Sequence, residues 1–241
     1  MKKAIIMLLA FTIVFASAGC TNSDKQQPEK TESSGASGIT EQSTETESVR
    51  LTEQYFGSLY SSSSYSITTD MTVKSNYSPT ESSLYHLTIA VDNDHQQAML
   101  QMDIGDHDSI HIIIKDQKSY KLDDQNKTYT VQKYEDTITS FAKIYTEELY
   151  LGITEPLELI DYGEEKSDDE TLHVEKYRMT ETEQSDDTID SAYVTYYYKD
   201  KSPYKEVLET ANGNTTFIFK EINKSISDQT IFKIPSDYQQ Q

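Results

Sequence analysis

The sequence predicts a mostly antiparallel α+β domain, a curved half-open barrel of about eleven strands with helices covering its concave face. Three observations lead to this fold class. Apolar and polar residues alternate in many short segments, as they do in half-buried strands. The polar links between these segments are short, which favours an antiparallel meander. Only two segments have helical spacing, and a sheet of this many strands curls because its twist accumulates.

The N-terminal residues have the composition of a secretory signal. Lys2 and Lys3 precede an apolar run over residues 4–15, and small residues follow up to Cys20, the one cysteine of the chain. An uncleaved membrane anchor is the alternative, but the run falls short of the ~20 residues that span a bilayer. Small residues before a cysteine resemble the bacterial lipoprotein signal, in which that cysteine is acylated. The resemblance implies removal of residues 1–19, lipidation of Cys20 with chains such as palmitate, and anchoring on the extracytoplasmic face of the cell membrane.

The chain is strongly acidic. Its 21 Lys and Arg stand against 41 Asp and Glu, a formal charge of −20, and losing two lysines with the signal gives −20 − 2 = −22. Phosphate groups repel such a chain, so nucleic acid is a poor partner. Once Cys20 is acylated, no thiol is left for a disulfide or a zinc site. We expect the 18 tyrosines to be half buried in a thin sheet with one covered face.

Two regions precede the first predicted strand. Residues 21–48 are rich in Ser, Thr, Glu and Gln and have almost nothing to bury, so 20–48 is interpreted as the acylated cysteine and a disordered polar tether. From Val49 to Leu59 the apolar residues recur at helical spacing, which predicts a short amphipathic helix. The folded domain is expected over 49–241.

An antiparallel meander is predicted after this helix. In each segment the apolar residues occupy alternate positions, and polar pairs such as Asp116-Gln117 separate the segments. The alternating series are Tyr65 to Val73, Tyr85 to Val91, Ala98 to Ile104, Ile110 to Ile114, Tyr120 to Leu122 and Tyr129 to Val131.

A longer helix and a second group of strands complete the predicted domain. Apolar residues from Tyr134 to Leu149 follow a helical stripe over about four turns, and Gly152 and Pro156 close it. A hairpin turn is expected at Asn212-Gly213-Asn214. The remaining strands are expected over 157–162, 171–181, 188–200, 204–211 and 215–223, with a last short strand ending at 235.

The order of these elements has a counterpart among known families. A lipoprotein signal, a polar tether, a short helix, a meander and a central helix follow one another. Two short motifs add to this order, Ile114-Lys115-Asp116-Gln117-Lys118-Ser119-Tyr120 and Phe232-Lys233-Ile234-Pro235-Ser236-Asp237-Tyr238. Over roughly Val49 to Tyr238 the chain resembles the LolA/LolB superfamily of envelope proteins, which includes mycobacterial lipid-carrying lipoproteins. The resemblance implies a half-open barrel whose apolar concave face takes acyl chains in the carrier members.

The function expected from this reading is binding of a lipid or acyl chain between the sheet and the helix 134–149. The alternative is a non-enzymatic regulatory or scaffold lipoprotein that docks on another envelope protein, with Glu164 and Glu165 on its acidic docking surface. The candidate ligand-binding residues are Leu87, Ile89, Leu100, Met102, Ile112, Ile138, Phe141 and Tyr145.

No motif for catalysis or cofactor binding stands out. The five glycines after residue 48 form no phosphate-binding loop, and neither Gly-x-Ser-x-Gly nor His-Glu-x-x-His occurs. We therefore predict a protein that is not an enzyme and needs no cofactor or metal. An enzyme with scattered carboxylates is the weaker alternative, and a cleft joining two carboxylates would revive it.

Several polar or aromatic clusters are interpreted as structural. The run 92–95 and the acid-rich run 161–169 are taken as solvated turns or loops. Tyr196 and Tyr198 share one face of their strand and Tyr193 and Tyr197 the other, which favours packing on one face and an exposed girdle on the other over a ligand wall. A further cluster lacks the spacing of a calcium loop and is also taken as a hairpin end. It comprises Asp103, Asp106, His107, Asp108 and His111.

Overall fold

A computed structural model describes the protein over residues 50–78, 82–104, 108–147, 158–167, 170–179 and 192–241. The predicted signal, Cys20 and the tether lie outside these residues, as do Asp106 and His107. Across the described ranges, no helix combines the length and apolar character that a membrane crossing requires.

The described helices are short. Helix α1 spans Leu51–Tyr60, α2 spans Ile138–Ala142 and continues as a π-helical turn over Lys143–Glu147, and a 3₁₀ helix spans Gln229–Phe232. The strands are β1 Ser64–Ser75, β2 Ser82–Asp92, β3 Gln97–Ile104, β4 Asp108–Lys115, β5 Lys118–Asp123, β6 Thr128–Lys133, β7 Glu158–Ser167, β8 Glu170–Met179, β9 Ala192–Lys199, β10 Ser202–Thr210, β11 Gly213–Asn223 and β12 Gln239–Gln240.

These strands form one curved, unclosed sheet in the order β12-β6-β5-β4-β3-β2-β1-β11-β10-β9-β8-β7. Strands β1 to β6 make one antiparallel meander and β7 to β11 make another. The two meanders join where β1 pairs with β11, a boundary we call the seam. The predicted fold class is confirmed, and the described strand count is twelve instead of about eleven.

Three β-bulges interrupt the strand pairing, at the seam and within the second meander. The extra residues are Lys220 in β11, Tyr204 in β10 and Ile160 in β7. An extra residue bends its strand and increases the local twist, so these positions add to the curvature of the sheet. Tyr204 is 41% exposed and Ile160 is 38% exposed. Their exposure follows from the bulges, because an unpaired residue leaves the inward-outward alternation.

Both α1 and α2 lie on the same side of the sheet, which we call the inner face. The Phe56 ring of α1 lies 6.1 Å from the Tyr196 ring of β9 and 6.0 Å from the Phe219 ring of β11, measured between centroids. Helix α2 packs on β2 and β3. The hydroxyl of Tyr65 is 3.0 Å from that of Thr146, which ties β1 to the π-helical turn. The inner face therefore carries a core shared by both meanders.

The C-terminal residues cover the outer face of the first meander. Phe232, 1% exposed, packs against Ala90, Met99, Ile113 and Leu122. We call residues 226–238 the C-terminal strap, since Ile226, Ile231 and Tyr238 also pack there. The expectation of a sheet with only one covered face is wrong for this half. Small Ala90 and unbranched Met99 are residues between which a large aromatic ring packs readily.

Three sequence predictions are corrected by local hydrogen bonds and strand position. The helix predicted from Tyr134 begins at Ile138, because the Thr137 side chain accepts the Ser140 N–H at 3.0 Å and caps it. The strand predicted to end at 235 is the 3₁₀ helix, capped where Asp228 accepts the Thr230 N–H at 2.8 Å. The acidic residues 161–167 belong to β7, not to a loop, because an edge strand tolerates charge.

The hairpin turns depend on residues with positive φ. Asp116 and Gln117 have φ of 51° and 56°, and Asp200 and Lys201 have 50° and 65°, as two-residue primed turns require. The turn predicted at 212–214 differs, because Gly213 has φ of 149° and is the first residue of β11. A Cβ at Gly213 would lie 2.1 Å from the carbonyl oxygen of Lys74. Glycine is therefore needed there for close approach of two strands.

Candidate functional site: the inner face

The predicted ligand-binding residues on the strands lie together on the inner face. Leu87 pairs with Met102 across β2 and β3, and Ile89 pairs with Leu100. Leu100 in turn pairs with Ile112 of β4. Because directly paired residues point to the same side of a sheet, these five side chains form one apolar surface.

The predicted residues on the helix lie near this surface. Ile138 and Phe141 are 4% and 2% exposed, and α2 packs on β2 and β3. Tyr145 is half-buried in the π-helical turn, with its ring centroid 4.7 Å from that of Phe141. Burial raises the pKa of the Tyr145 hydroxyl. The structure thus brings the eight predicted residues to one region, whereas their binding of a ligand stays a prediction.

Burial of the inner face decreases from one end of the strands to the other. Near α1 and α2, Ile67, Ile89 and Ala98 are completely buried. Toward the opposite end, apolar residues of the same face are only partly covered. We call these residues the rim: Val73, Ile104, Ile110 and Leu208. The inner face is therefore a closed core at one end and a partly open apolar surface at the other.

A buried carboxylate holds the start of α1 on the sheet. Glu175 of β8 accepts hydrogen bonds from the backbone N–H groups of Leu51 and Thr52, at 2.7 and 3.0 Å, and from the Thr52 hydroxyl at 2.7 Å. The Tyr177 hydroxyl donates to the same carboxylate at 2.8 Å. Burial acts to raise the pKa of Glu175, but the hydrogen bonds from Thr52, Tyr177 and Leu51 outweigh it and hold that pKa below its ordinary value. Glu175 therefore caps the helix in place of a local side chain.

Glu206 of β10 is a second carboxyl on the inner face, but unlike Glu175 it has an oxygen without a hydrogen-bond partner in the described residues. It pairs with Tyr196 on one side and Phe217 on the other and is 1% exposed. The unpartnered atom is Oε2. Burial raises the pKa of Glu206 well above its ordinary value, which favours the neutral carboxyl. It is an isolated polar position within an apolar wall.

Sequence reasoning missed both glutamates, although the strand patterns contain a signal. In β8, Lys176 and Arg178 alternate with Glu175 and Tyr177, and placing the cations outward turns Glu175 inward. In β10 the pattern is ambiguous, because Val207 would be the natural inward residue. The inward direction of the Glu206 side chain is fixed by its pairing with Tyr196. This pairing follows the bulge at Tyr204, and the sequence does not reveal that bulge.

Three described histidines each form a single pair with a carboxylate. His86 lies 2.6 Å from Asp70, and His95 lies 2.8 Å from Asp92. His111 of the predicted cluster is 3.2 Å from Asp124. Within the described ranges, no group of three or more His, Cys, Asp and Glu side chains is arranged to hold a metal ion. These three pairs are local contacts between neighbouring strands or turns.

The four clustered tyrosines divide between the two faces as predicted. Tyr196 and Tyr198 are each 1% exposed on the inner face. Tyr193 and Tyr197 are half-buried on the outer face, where Lys176 and Lys205 lie over their rings at 5.1 and 3.7 Å from the centroids. Each of the two outer tyrosines therefore forms a cation–π contact with a lysine.

Comparison with solved structures finds proteins of similar architecture. A conserved protein from Thermus thermophilus has a TM-score of 0.44 and 9% identity, over 79% of this chain and 98% of that one. The lipoprotein LppX from Mycobacterium tuberculosis has a TM-score of 0.41 and 10% identity, over 73% and 95%. A LolA superfamily protein from Nitrosomonas europaea has a TM-score of 0.33 and 9% identity, over 75% and 96%.

No protein-family model matches the chain, and no curated protein sequence matches it significantly. At 10% identity or less, these matches assign neither a family nor a ligand to this chain.

Proposed function

We propose that the protein binds an acyl chain or similar lipid against the inner face and does so from the extracytoplasmic side of a membrane. The observation that carries the proposal is the decrease in burial along this face. Apolar side chains continue from the closed core out to the partly exposed rim at Val73, Ile104, Ile110 and Leu208. An exposed apolar surface continuous with a core is typical of a ligand-binding groove.

The position of the helices supports the same function. Helix α1 is fastened to the sheet at its N-terminus by Glu175 and at its centre by Phe56. Helix α2 has only five residues before its π-helical turn. Both helices therefore cover the closed end of the inner face, and a chain would enter from the opposite end, at the rim.

The membrane part of the proposal rests on the sequence. The signal-like residues 1–19 end directly before Cys20, whose acylation would hold the protein at the membrane from which a lipid is taken. The alternative, docking on another envelope protein, predicts no bound lipid and a partner that contacts the acidic edge at Glu164 and Glu165.

The lipid function is tested in cells that express the full chain and are supplied with a fatty acid carrying a photoreactive diazirine. After irradiation, mass spectrometry of the purified protein should locate crosslinks on peptides of β1, β3 and β4 that contain the rim. Ile112→Asp places an unpaired charge in the apolar surface, so we expect at least a ~10-fold loss of crosslinking.

Ile218→Asp is the matched control, because Ile218 is also partly buried but points to the outer face opposite Asp70. Crosslinking of this variant should stay within about twofold of wild type, as expected for a substitution distant from the groove. Thermal melting of both variants shows whether each is folded. Crosslinks that are absent, or that fall equally in the two folded variants, would contradict the proposal and favour docking.

A further inference from the structure

Glu206 is an isolated polar group in the apolar wall of the inner face. Its side chain is 1% exposed, and its Oε2 atom has no hydrogen-bond partner among the described residues. A buried polar atom without a partner costs more stability than an apolar group of the same shape. Such atoms are rare in folded proteins, and each one needs an explanation. A ligand that enters the inner face would supply the missing partner.

Glu206 belongs to a row of side chains that crosses the sheet and ends at the rim. Directly paired residues on neighbouring strands share a face, and here they connect Glu206 to Phe217, Met71, Tyr85 and Ile104 in turn. Ile104 is a rim residue. Between it and the carboxyl, Phe217, Met71 and Tyr85 are 2%, 8% and 3% exposed. An apolar surface therefore continues from the Glu206 carboxyl to the rim.

The rim also approaches Glu206 along its own strand. Leu208 is two residues further along β10 and on the same face, which puts the two positions about 7 Å apart. Leu208 pairs with Thr215, which in turn pairs with the rim residue Val73. Helix α1 packs on Tyr196, the neighbour of Glu206 on β9. Glu206 therefore lies where the helix-covered core meets the rim.

An isolated carboxyl in these surroundings favours a neutral hydroxyl as its partner. A carboxylate on the ligand would place two like groups in one apolar site, where their repulsion opposes ionisation. An ammonium group would form a buried ion pair, whose desolvation offsets the attraction. A hydroxyl both donates and accepts, so it pairs with the carboxyl whichever oxygen carries the proton. It also brings no charge into the apolar wall.

We propose that the lipid bound on the inner face carries a free hydroxyl group, which hydrogen-bonds to the carboxyl of Glu206. The inference rests on the proposed function and adds the chemical class of its ligand, a neutral lipid with a hydroxyl group. The hydrocarbon chain lies along the row toward Ile104 and the rim. A fatty acid still binds through its chain, but more weakly than the corresponding alcohol.

Three substitutions separate a hydrogen-bonding role of Glu206 from a structural one. Glu206→Met removes both oxygens and keeps an unbranched side chain. Because one of these oxygens is unpaired, we expect the variant to melt at the temperature of wild type or above it. Glu206→Gln keeps a donor and an acceptor. Glu209→Met is the matched control, because Glu209 lies on the same strand but pairs with Lys176 on the outer face.

Photocrosslinking in membranes isolated from cells that express the full chain tests the proposal. Two probes carry the same diazirine chain, and one ends in a hydroxyl group while the other ends in a methyl group. In wild type we expect the alcohol to label rim peptides at least ~5-fold more than the hydrocarbon, as for a hydrogen bond that satisfies a buried group. Glu206→Met should abolish this preference. Glu206→Gln and Glu209→Met should keep it within about twofold of wild type.

Several results would overturn the proposal. Equal labelling of rim peptides by the two probes in wild type would leave the lipid function in place and assign a water molecule to Glu206 instead. A hydroxyl preference that persists in Glu206→Met would place the polar end of the ligand elsewhere. Absence of labelling by both probes would contradict this inference together with the proposed function.

A second measurement applies if Glu206→Met fails to fold, as judged by circular dichroism. An alcohol with its diazirine beside the hydroxyl should label the β10 peptide that contains Glu206 in the wild-type protein. Labelling of this peptide would support the proposal without any substitution. Labelling confined to peptides of other strands would overturn it.

Discussion

At the scale of single residues, two buried glutamates flank Tyr196, and their pKa values are shifted in opposite directions. Glu175 accepts hydrogen bonds from Leu51, Thr52 and Tyr177, which hold its pKa below the ordinary value. Glu206 has an oxygen without a partner, and burial holds its pKa well above that value. Stability must therefore depend on pH in opposite ways through the two groups.

Replacing Glu175 by Gln should lower the free energy of unfolding by about 2 kcal/mol at pH 7, because charged hydrogen bonds at a helix N-terminus are lost. The carboxylate contributes stability above the pKa of the unfolded state, about 4.3, and the contribution disappears as pH falls through the lower pKa of the folded state. The difference between variant and wild type in urea unfolding should therefore shrink below about pH 4.

Replacing Glu206 by Gln should give the reverse profile. In the wild type, the neutral Glu206 carboxyl makes its full contribution to the free energy of unfolding below about pH 4.3. This contribution is lost as pH rises toward the raised pKa of the folded state. Because glutamine does not ionise, the variant does not lose stability in this way. Its free energy of unfolding relative to wild type should therefore increase from pH 4 to pH 8 by about 1 kcal/mol or more. Parallel profiles for the two variants would show that the assigned ionisation states are wrong.

At the scale of elements, the β10–β11 hairpin depends on a backbone that only glycine fits. Gly213→Ala would place a Cβ 2.1 Å from the Lys74 oxygen, at a φ of 149° that side chains rarely adopt. We expect the free energy of unfolding to fall by about 2 kcal/mol or more in urea titrations, because strain and a displaced seam add together.

Gly163→Ala is the control for this prediction, since it is also a glycine within a strand. A Cβ there meets nothing within 4 Å. Its stability should equal that of wild type or exceed it by about 0.5 kcal/mol, because alanine reduces the entropy of the unfolded chain. Equal destabilisation by the two substitutions would mean that the crowding at Gly213 is not responsible.

The elements that sequence predicts well are those with a simple period. Alternation of Tyr65 to Val73 and Ala98 to Ile104 identified β1 and β3, because one side of each strand is buried. The bulges at Ile160, Tyr204 and Lys220 were not predicted, since the extra residue of a bulge has no distinctive composition. The cap of α1 was also missed, because Glu175 is 124 residues from Leu51.

The same distinction applies to the candidate sites. The apolar residues of the inner face follow from alternation and helical spacing, and pairing places Leu87, Leu100 and Ile112 on one side of the sheet. Glu206 is a different case, because its inward direction depends on the bulge at Tyr204 and on its pairing with Tyr196. The sequence alone does not locate that bulge.

At the scale of the whole molecule, the proposed anchor predicts how the protein fractionates. Cys20→Ser removes the acylation site, so the protein should remain an unprocessed precursor or be shed. The wild type should stay with membranes in high salt, because each buried methylene adds about 0.8 kcal/mol and two or more chains make release negligible. Membrane fractionation and detergent partitioning check this. A wild-type protein in the medium with a free Cys20 thiol would contradict both anchoring and the membrane side of the function.

The seam between β1 and β11 also determines the order in which the chain can fold. Each meander contains only contacts between neighbouring strands, which form quickly because their loops are short. The seam joins Ile67 to Ile222 and closes a loop that includes almost the whole domain. We therefore expect its formation to be the slow step, because closing a long loop costs the most entropy. Until β11 has been synthesised, both meanders keep an unpaired edge, and the nascent chain cannot complete its core. We therefore expect the native structure to be completed only after β11 has been synthesised, near the end of translation.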